Sequence, residues 1–273
     1  MHPPLRIAIL ECDTPLDRTR AKYGGYGGVF EELLDKGADQ LNMPDVIRSG
    51  KGGGMDITKW DVEKDETYPN IDDIDAILIT GSSTSTNRIP WNKSDSQREQ
   101  EERNSFDNTP WIVKLVSFVQ TLLEQERVRI IGVCFGHQIV GRAMGMKVDR
   151  SPHGWELSVT PVELTPKGKE LFRQEDLHLH QMHRDIIHAY PPHVDQLAHS
   201  PLCAVQGMHL KNRLLTVQAH PEFSRDIVAE ILASRRDQGV FDEATYQDGM
   251  RRVGERHDGV VVAVAFLRFL LED

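Results

Sequence analysis

The sequence predicts a three-layer α/β protein whose central sheet is mainly parallel and carries an antiparallel extension. Three observations point there. Short β-branched apolar runs recur along the chain, segments of helical spacing separate the early ones, and beyond Trp155 polar and apolar residues alternate instead. Continuous apolar runs suit strands covered on both faces, and helix-length spacers are the crossovers that parallel strands require. Alternation suits strands joined by short turns.

Taken in order, RIAIL at 6–10 reads as the first buried strand. YGGYGG at 23–28 reads as a turn, because glycine tolerates positive φ, and it lacks the G-x-x-x-x-G-K-[ST] or G-x-G-x-x-G spacing of a phosphate loop. Val29 to Lys36 has helical spacing. Residues 48–70, with Gly52, Gly53 and Gly54, read as an insertion. AILIT at 76–80 is the second strand, running into Gly81 and Ser82. Residues 84–109 are polar and dense in charge (SDSQREQEERN), a second insertion that reads as a solvated surface segment or as a flap over a site. Pro110 and Trp111 restart the apolar pattern, with a helix to Glu126, a strand at 128–133 (VRIIGV) and a helix over Gly136 to Met144. The stretch from Glu156 to Val217 is the antiparallel extension and ends on the apolar run LLTV. Residues 224–273 form a C-terminal helical extension broken near Gly239 and again at Asp258 and Gly259. No repeat or linker divides residues 1–273, which read as a single domain.

Composition excludes several classes. With 32 Lys+Arg against 42 Asp+Glu the formal charge is −10, an average field that repels nucleic acid and anionic membrane. Cys12, Cys134 and Cys203 form no C-x-x-C and are odd in number, which suits a reducing compartment rather than a disulfide framework. The first residues lack a signal-peptide pattern, and VVVAVAFL at 260–267 falls short of the roughly 20 residues needed to span a bilayer. A cytoplasmic location is expected.

The strongest chemical signal is IGVCFGHQ at 131–138, an apolar strand turning into a helix at Cys134. Gly132 and Gly136 allow a tight turn and clear space beside the thiol, as in the G-x-S-x-G elbow of hydrolases, and the helix that follows aims its first amides at the sulfur. The backbone N–H of Phe135 is placed for half of an oxyanion hole. A free cysteine is also commonly a small buried hydrophobe, and G-x-C-x-G alone does not separate the two readings. A nucleophilic thiol needs a base and a group that orients it. QAHPEF at 218–223 supplies both, His220 as base and Glu222 as its orienting carboxylate, after an apolar strand that can end on the same sheet edge as Cys134.

Together, Gly132, Cys134, Gly136 and Gln138 in a G-x-C-x-G-x-Q elbow and His220, Pro221 and Glu222 in an H-P-E segment resemble the signature of the class I glutamine amidotransferases. The resemblance extends to Ile79–Ser83, where that family places its second oxyanion donor, and to Met182, His183, Arg184 and Asp185, which resemble its S-H-x-D segment. Trp155, Glu156 and Ser200 to Gln206 fall where relatives carry similar strands. It implies a flavodoxin-like fold and hydrolysis of a γ-glutamyl amide through a Cys134 thioester, with His220 as base and acid and Glu222 orienting it. Oxyanion donors would come from Phe135 and from Gly81 and Ser82. Gln138, Met182, His183 and Arg184 would contact the substrate. Met182 and Arg184 depart from the small residues usual there, so the pocket rim is expected to differ.

The resemblance leaves three functions open. A free-standing γ-glutamyl hydrolase or peptidase needs only a γ-glutamyl small molecule. A glutaminase subunit, as in GMP synthase-type domains, would deliver ammonia to a separate synthetase partner, since about 50 residues after Glu222 are too few for an acceptor domain. A non-catalytic scaffold is the third. LHLHQMH at 177–183 has an H-x-H-x-x-H spacing near that of zinc hydrolases, but Met182 stands where their aspartate would be. No metal and no cofactor are expected. Cys203 reads as core, and Cys12 as a thiol after the first strand.

Overall fold

In the computed structural model, which describes residues 1–43, 47–50, 53–65, 67–82 and 104–272, the four apolar runs are neighbours in one sheet. They are β1 (Leu5–Glu11), β3 (Ala76–Ile79), β4 (Arg129–Val133) and β11 (Leu214–Val217), all parallel, with Ile7 opposite Ala76, Ile77 opposite Ile130, and Val133 opposite Val217. An edge strand, β2 (Met55–Asp61), adds parallel to β1. The antiparallel extension follows on the other side as β10 (Gly207–Leu210), β9 (Asp195–His199), β6 (Glu156–Leu164) and β7 (Asp176–His183). The full order is β2-β1-β3-β4-β11-β10-β9-β6-β7, and β5 (Val148–Arg150) pairs with β8 (Asp185–Ile187) in a small second sheet.

Strand side chains alternate between two cores, which makes the fold three-layered. Leu5, Ile7, Ile9, Leu78, Ile131, Val133 and Leu215 pack under α2 (Tyr26–Gln40) and the C-terminal helix α8 (Gly259–Leu271). Ala8, Leu10, Ile77, Ile79, Ile130 and Leu214 pack under α3 (Pro110–Gln125) and α4 (Phe135–Ala143). The near-continuous apolar character of α8, already plain in VVVAVAFL, follows from this burial: Phe266 and Leu267 are fully enclosed between α2 and the sheet. No helix among the described residues is long and apolar enough to cross a membrane.

Of the remaining helices, all but α1 are capped by a side chain of their own sequence. α1 is Asp17–Tyr23 and α5 is Pro166–Phe172, where Pro166 opens the helix and the Thr165 hydroxyl accepts the Gly168 amide. Ser224 caps α6 (Arg225–Asp237) through Ile227 N–H, and Asp242 caps α7 (Glu243–Arg252) through Thr245 N–H. The breaks fall at Gly239, in the left-handed region at φ 71°, and at Asp258, where the chain was expected to break.

Three expectations are corrected. The glycine run at 23–28 is a turn only at Gly24 (φ 81°), since α2 already begins at Tyr26. Gly27 and Gly28 serve close packing instead: a Cβ on Gly28 would lie 2.0 Å from the Tyr23 carbonyl oxygen, and one on Gly27 would lie 2.8 Å from the Lys59 side chain. Residues 48–70 are not merely a loop inserted by composition, because they supply β2. Ser200 to Gln206 forms turns between β9 and β10 rather than a strand. Of the 84–109 stretch only residues from Asn104 onward are described, so most of that segment lies outside the described residues.

Candidate active site

Parallel strands β3, β4 and β11 release their chains at the same sheet edge, and the sequence places a reactive group at each exit. At the end of β4 the backbone turns directly into α4, with Cys134 at φ 51° and ψ −102°. For a residue with a Cβ this is a strained conformation, costing about 1–3 kcal/mol. The surroundings enforce it. Cys134 N–H still donates to Val217 O at 2.9 Å, as if continuing the strand, while its carbonyl already accepts the Gln138 amide at 3.0 Å as the first bond of the helix. Both flanking glycines are required by contact rather than by φ. A Cβ on Gly136 would lie 2.3 Å from Ile79 O, and one on Gly132 would lie 2.9 Å from the Gly136 backbone. Phe135 opens α4, so its N–H is among the first-turn amides that have no acceptor within the helix.

At the end of β11, His220 pairs back onto β7 through its N–H to His180 O at 2.8 Å. Its ring then faces Cys134. Nδ1 lies 2.8 Å from Glu222 Oε1, the ring stacks on Phe223 with centroids 4.0 Å apart, and all three residues of the trio are buried. Burial by itself would drive the imidazole toward its neutral form. The Cys134 sulfur, then the Glu222 carboxylate and hydrogen bonds to both, outweigh it and hold the His220 pKa up at about 10. The imidazole thus bridges a sulfur and a carboxylate, with Glu222 on Nδ1 and Cys134 on its other side.

The end of β3 closes the third side. A Cβ on Gly81 would sit 2.6 Å from His220 Cε1 and 3.6 Å from Cys134 Cβ, so only a bare backbone fits against the pair. Thr80 fixes that backbone: its hydroxyl donates to Gly81 O at 2.9 Å and accepts the Cys12 N–H at 3.0 Å. The orientation of the Gly81–Ser82 peptide, where the second oxyanion donor is expected, is set by this buried hydroxyl.

A cleft runs from Cys134 between Ser82, Ser105, Phe135, Gln138, Trp155 and Met182, His183, Arg184 and Asp185. The predicted substrate-contact residues therefore lie together, although not all present free groups. Gln138 donates to Asp185 O at 2.8 Å and to Gln218 Oε1 at 3.1 Å, and accepts Ser105 Oγ at 2.7 Å, so its amide organises the cleft wall. His183 Nε2 lies 3.2 Å from Glu156 Oε2, and its Nδ1 is 3.2 Å from Asp185 O. Sequence reasoning missed Ser105, Trp155 as a cleft residue, and Arg235 of α6.

The other histidines go separate ways. His178 Nδ1 approaches Asp258 at 3.9 Å, His180 packs its ring against His257 at 4.5 Å, and His183 faces Glu156. Among the described residues no group of three or more His, Cys, Asp or Glu side chains is arranged to hold a metal ion. Cys12 and Cys203 are buried and burial raises both thiols, Cys203 to about 12, so neither is poised as a thiolate.

An elbow cysteine, an H-P-E turn and the cleft beside them at the edge of a parallel sheet are the arrangement of a glutamine amidotransferase-like fold. The chain belongs to the class I glutamine amidotransferase family: the family model for Glutamine amidotransferase class-I matches residues 52–233. It is 32% identical over 267 residues to the glutamine amidotransferase-like protein C13C5.04 of Schizosaccharomyces pombe, covering 97% of this chain and 98% of that one. It is 29% identical over 216 residues to gamma-glutamyl peptidase 4 of Arabidopsis thaliana, covering 77% and 72%. Among solved structures, a glutamine amidotransferase from Thermotoga maritima superposes over the full length of both chains with a TM-score of 0.64 at 14% identity, a likeness of fold.

Proposed function

We propose that this protein hydrolyses γ-glutamyl amide bonds through a Cys134 thioester. The carrying observation is the buried line from Glu222 through His220 to the strained Cys134. The Cys134 sulfur attacks the γ-carbonyl carbon, forming a C–S bond and an oxyanion facing the amides of Phe135 and of Gly81 and Ser82. Each well-placed donor lowers the barrier by about 3 kcal/mol. His220 gives its proton to the amine nitrogen as the C–N bond breaks. Water then attacks the thioester while His220 takes one of its protons, and the C–S bond breaks to return the thiolate and release the γ-carboxylic acid, which loses its proton to solvent. Several Arabidopsis relatives are named gamma-glutamyl peptidases, which supports a free-standing peptidase or hydrolase acting on a γ-glutamyl small molecule. The three free cysteines fit a reducing compartment, and we place the activity in the cytoplasm.

A second reading, a glutaminase that passes ammonia to a separate synthetase, is favoured by the Schizosaccharomyces relative, which is named for amidotransferase likeness. One assay panel separates the two. Purified protein is incubated with glutamine, glutathione, a glutathione S-conjugate and a γ-glutamyl anilide beside Cys134→Ala. Release of the dipeptide from the tripeptide by the protein alone supports the peptidase. Ammonia from glutamine only upon addition of a second protein supports the subunit reading. Wild-type turnover by Cys134→Ala would overturn the Cys134 thioester in both readings, and turnover of none of the four compounds by the wild type, with or without a second protein, would leave a scaffold.

A further inference from the structure

Arg235 is a side chain of the cleft that the proposed chemistry does not use. It leaves the last turn of α6, is 5% exposed, and lines the same cleft as Cys134, Gln138, Met182 and Arg184. Among the described residues no carboxylate lies within ion-pair distance of its guanidinium, and the buried Nη1 has no hydrogen-bond partner. Aromatic rings hold it instead. Its guanidinium carbon lies 4.6 Å from the Trp155 ring centroid and 5.7 Å from that of Phe241, while Arg184 lies over Trp155 at 5.0 Å. Trp155 and Phe241 themselves meet edge to face at 5.2 Å. The Arg235 carbonyl accepts the amides of Val240 at 2.9 Å and Phe241 at 3.3 Å, so the loop after α6 folds back to place Phe241 against the guanidinium.

This arrangement is expensive as a structural device. A buried guanidinium with no anion in contact carries a desolvation penalty of several kcal/mol, of which aromatic faces return about 2, and Asp13 acts on it only through space. Burial pulls its pKa down to about 10, with Tyr26, Cys134 and Asp13 opposing and Arg184 adding to the fall, and the group is still charged at neutral pH. A second cation, Arg184, stands close enough to repel it. Two guanidinium groups around one indole, one of them with an unfilled donor in a cleft that ends at a nucleophile, form a receptor for a planar anion brought from outside. Arginine is the side chain suited to a carboxylate in that role.

We infer that Arg235, flanked by Arg184 and held by Trp155 and Phe241, binds a carboxylate of the substrate and selects for substrates that carry one beside the scissile bond. This inference rests on the γ-glutamyl reading for the identity of the substrate, whereas anion selectivity at Cys134 can be measured without it. Two carboxylates qualify chemically, the α-carboxylate of the γ-glutamyl group and the C-terminal carboxylate of a peptide leaving group.

The test compares alkylation of Cys134 by iodoacetate and by iodoacetamide in the wild type, Arg235→Gln and Arg235→Lys. The iodoacetate-to-iodoacetamide rate ratio is expected to fall about tenfold or more in Arg235→Gln, the worth of one charge-assisted hydrogen bond, and to fall less in Arg235→Lys. An unchanged ratio in an Arg235→Gln protein with native circular dichroism overturns the inference. Should that variant not fold, protection of wild-type Cys134 from iodoacetamide replaces it: glutarate should protect at lower concentration than glutaramide, and equal protection overturns the inference. Steady-state kinetics then assign the carboxylate. A raised KM for glutathione but not for its glycine ethyl ester points to the leaving group, and an equal rise for glutathione, the ester and a γ-glutamyl anilide points to the α-carboxylate. If the wild type turns over none of these while its anion selectivity persists, the γ-glutamyl reading fails and the carboxylate receptor stands.

Discussion

The protonation of His220 depends on the sulfur beside it, and that dependence is measurable one residue at a time. In the wild type its pKa is held up at about 10 against burial, so the ring is cationic through the neutral range and loses its proton only as pH rises through that value. Cys134→Ala removes the largest of the raising influences and leaves burial, which lowers it. The His220 ring resonances, followed by NMR from pH 5 to 11, should therefore titrate near 10 in the wild type and lower in Cys134→Ala, where Glu222 alone still raises the midpoint. A common midpoint in both proteins would show that the sulfur does not hold the ring protonated. At this scale the elbow and the H-P-E turn could be read from sequence, because each is a local pattern whose glycines and proline state their own geometry. Arg235 could not. Nothing near it in sequence marks it, and its importance comes from Trp155 and Phe241 arriving from other elements. Gln138 was visible as a cleft residue, but not the fact that its amide is committed to Ser105, Asp185 and Gln218, which are brought to it only by folding.

Among the elements, α8 is the one that ties a distant helix to the candidate site. Its first residue, Gly259, packs so closely on the H-P-E turn that a Cβ there would lie 2.0 Å from Pro221 O, with His257 Nε2 at 2.6 Å. His257 Nε2 also lies 3.1 Å from the same carbonyl, and Asp258 exchanges bonds with the His178 backbone on β7. Gly259→Ala cannot be absorbed by a side-chain movement, because the obstacle is backbone. The expected outcome is displacement of the His220 turn, with turnover or Cys134 alkylation reduced about tenfold or more and the melting temperature lowered by several degrees. Unchanged alkylation kinetics together with an unchanged melting temperature would show that the start of α8 is free to move. The C-terminal helices and their two breaks could be read from apolar spacing and glycine punctuation. β2 could not, because MDITKWD is an edge strand exposed along much of its length and preceded by a glycine run, so neither continuous apolarity nor clean alternation announces it. The start of α2 was hidden for a related reason: glycines that permit close packing look in sequence like glycines that permit a turn.

For the molecule as a whole, the polar groups enclosed between the sheet extension and the helices set how it responds to acid. His137 of α4 is fully buried, 2.8 Å from Thr216 Oγ1 and 3.1 Å from Val205 O, and burial lowers its pKa to about 3. His180, enclosed behind the H-P-E turn, is likewise lowered to about 3 by burial, then by the neighbouring His257 and His220 rings. Both are depressed below the unfolded value of about 6.5, so the unfolded chain binds protons that the folded chain refuses. The sign follows directly: the stability these groups permit is fully present above pH 6.5 and is lost as pH falls toward 3. Each contributes a slope of up to about 1.4 kcal/mol per pH unit within that window, so between pH 7 and pH 5 the two together should remove up to about 4 kcal/mol. Urea denaturation at pH 7, 6 and 5, in wild type and in His137→Gln, measures it. The wild type should lose stability steadily over this range, and the variant, whatever its stability at pH 7, should lose it with a shallower slope, because one of the two refused protons is gone. Parallel slopes in the two proteins would mean that His137 is protonated in the folded state despite its burial.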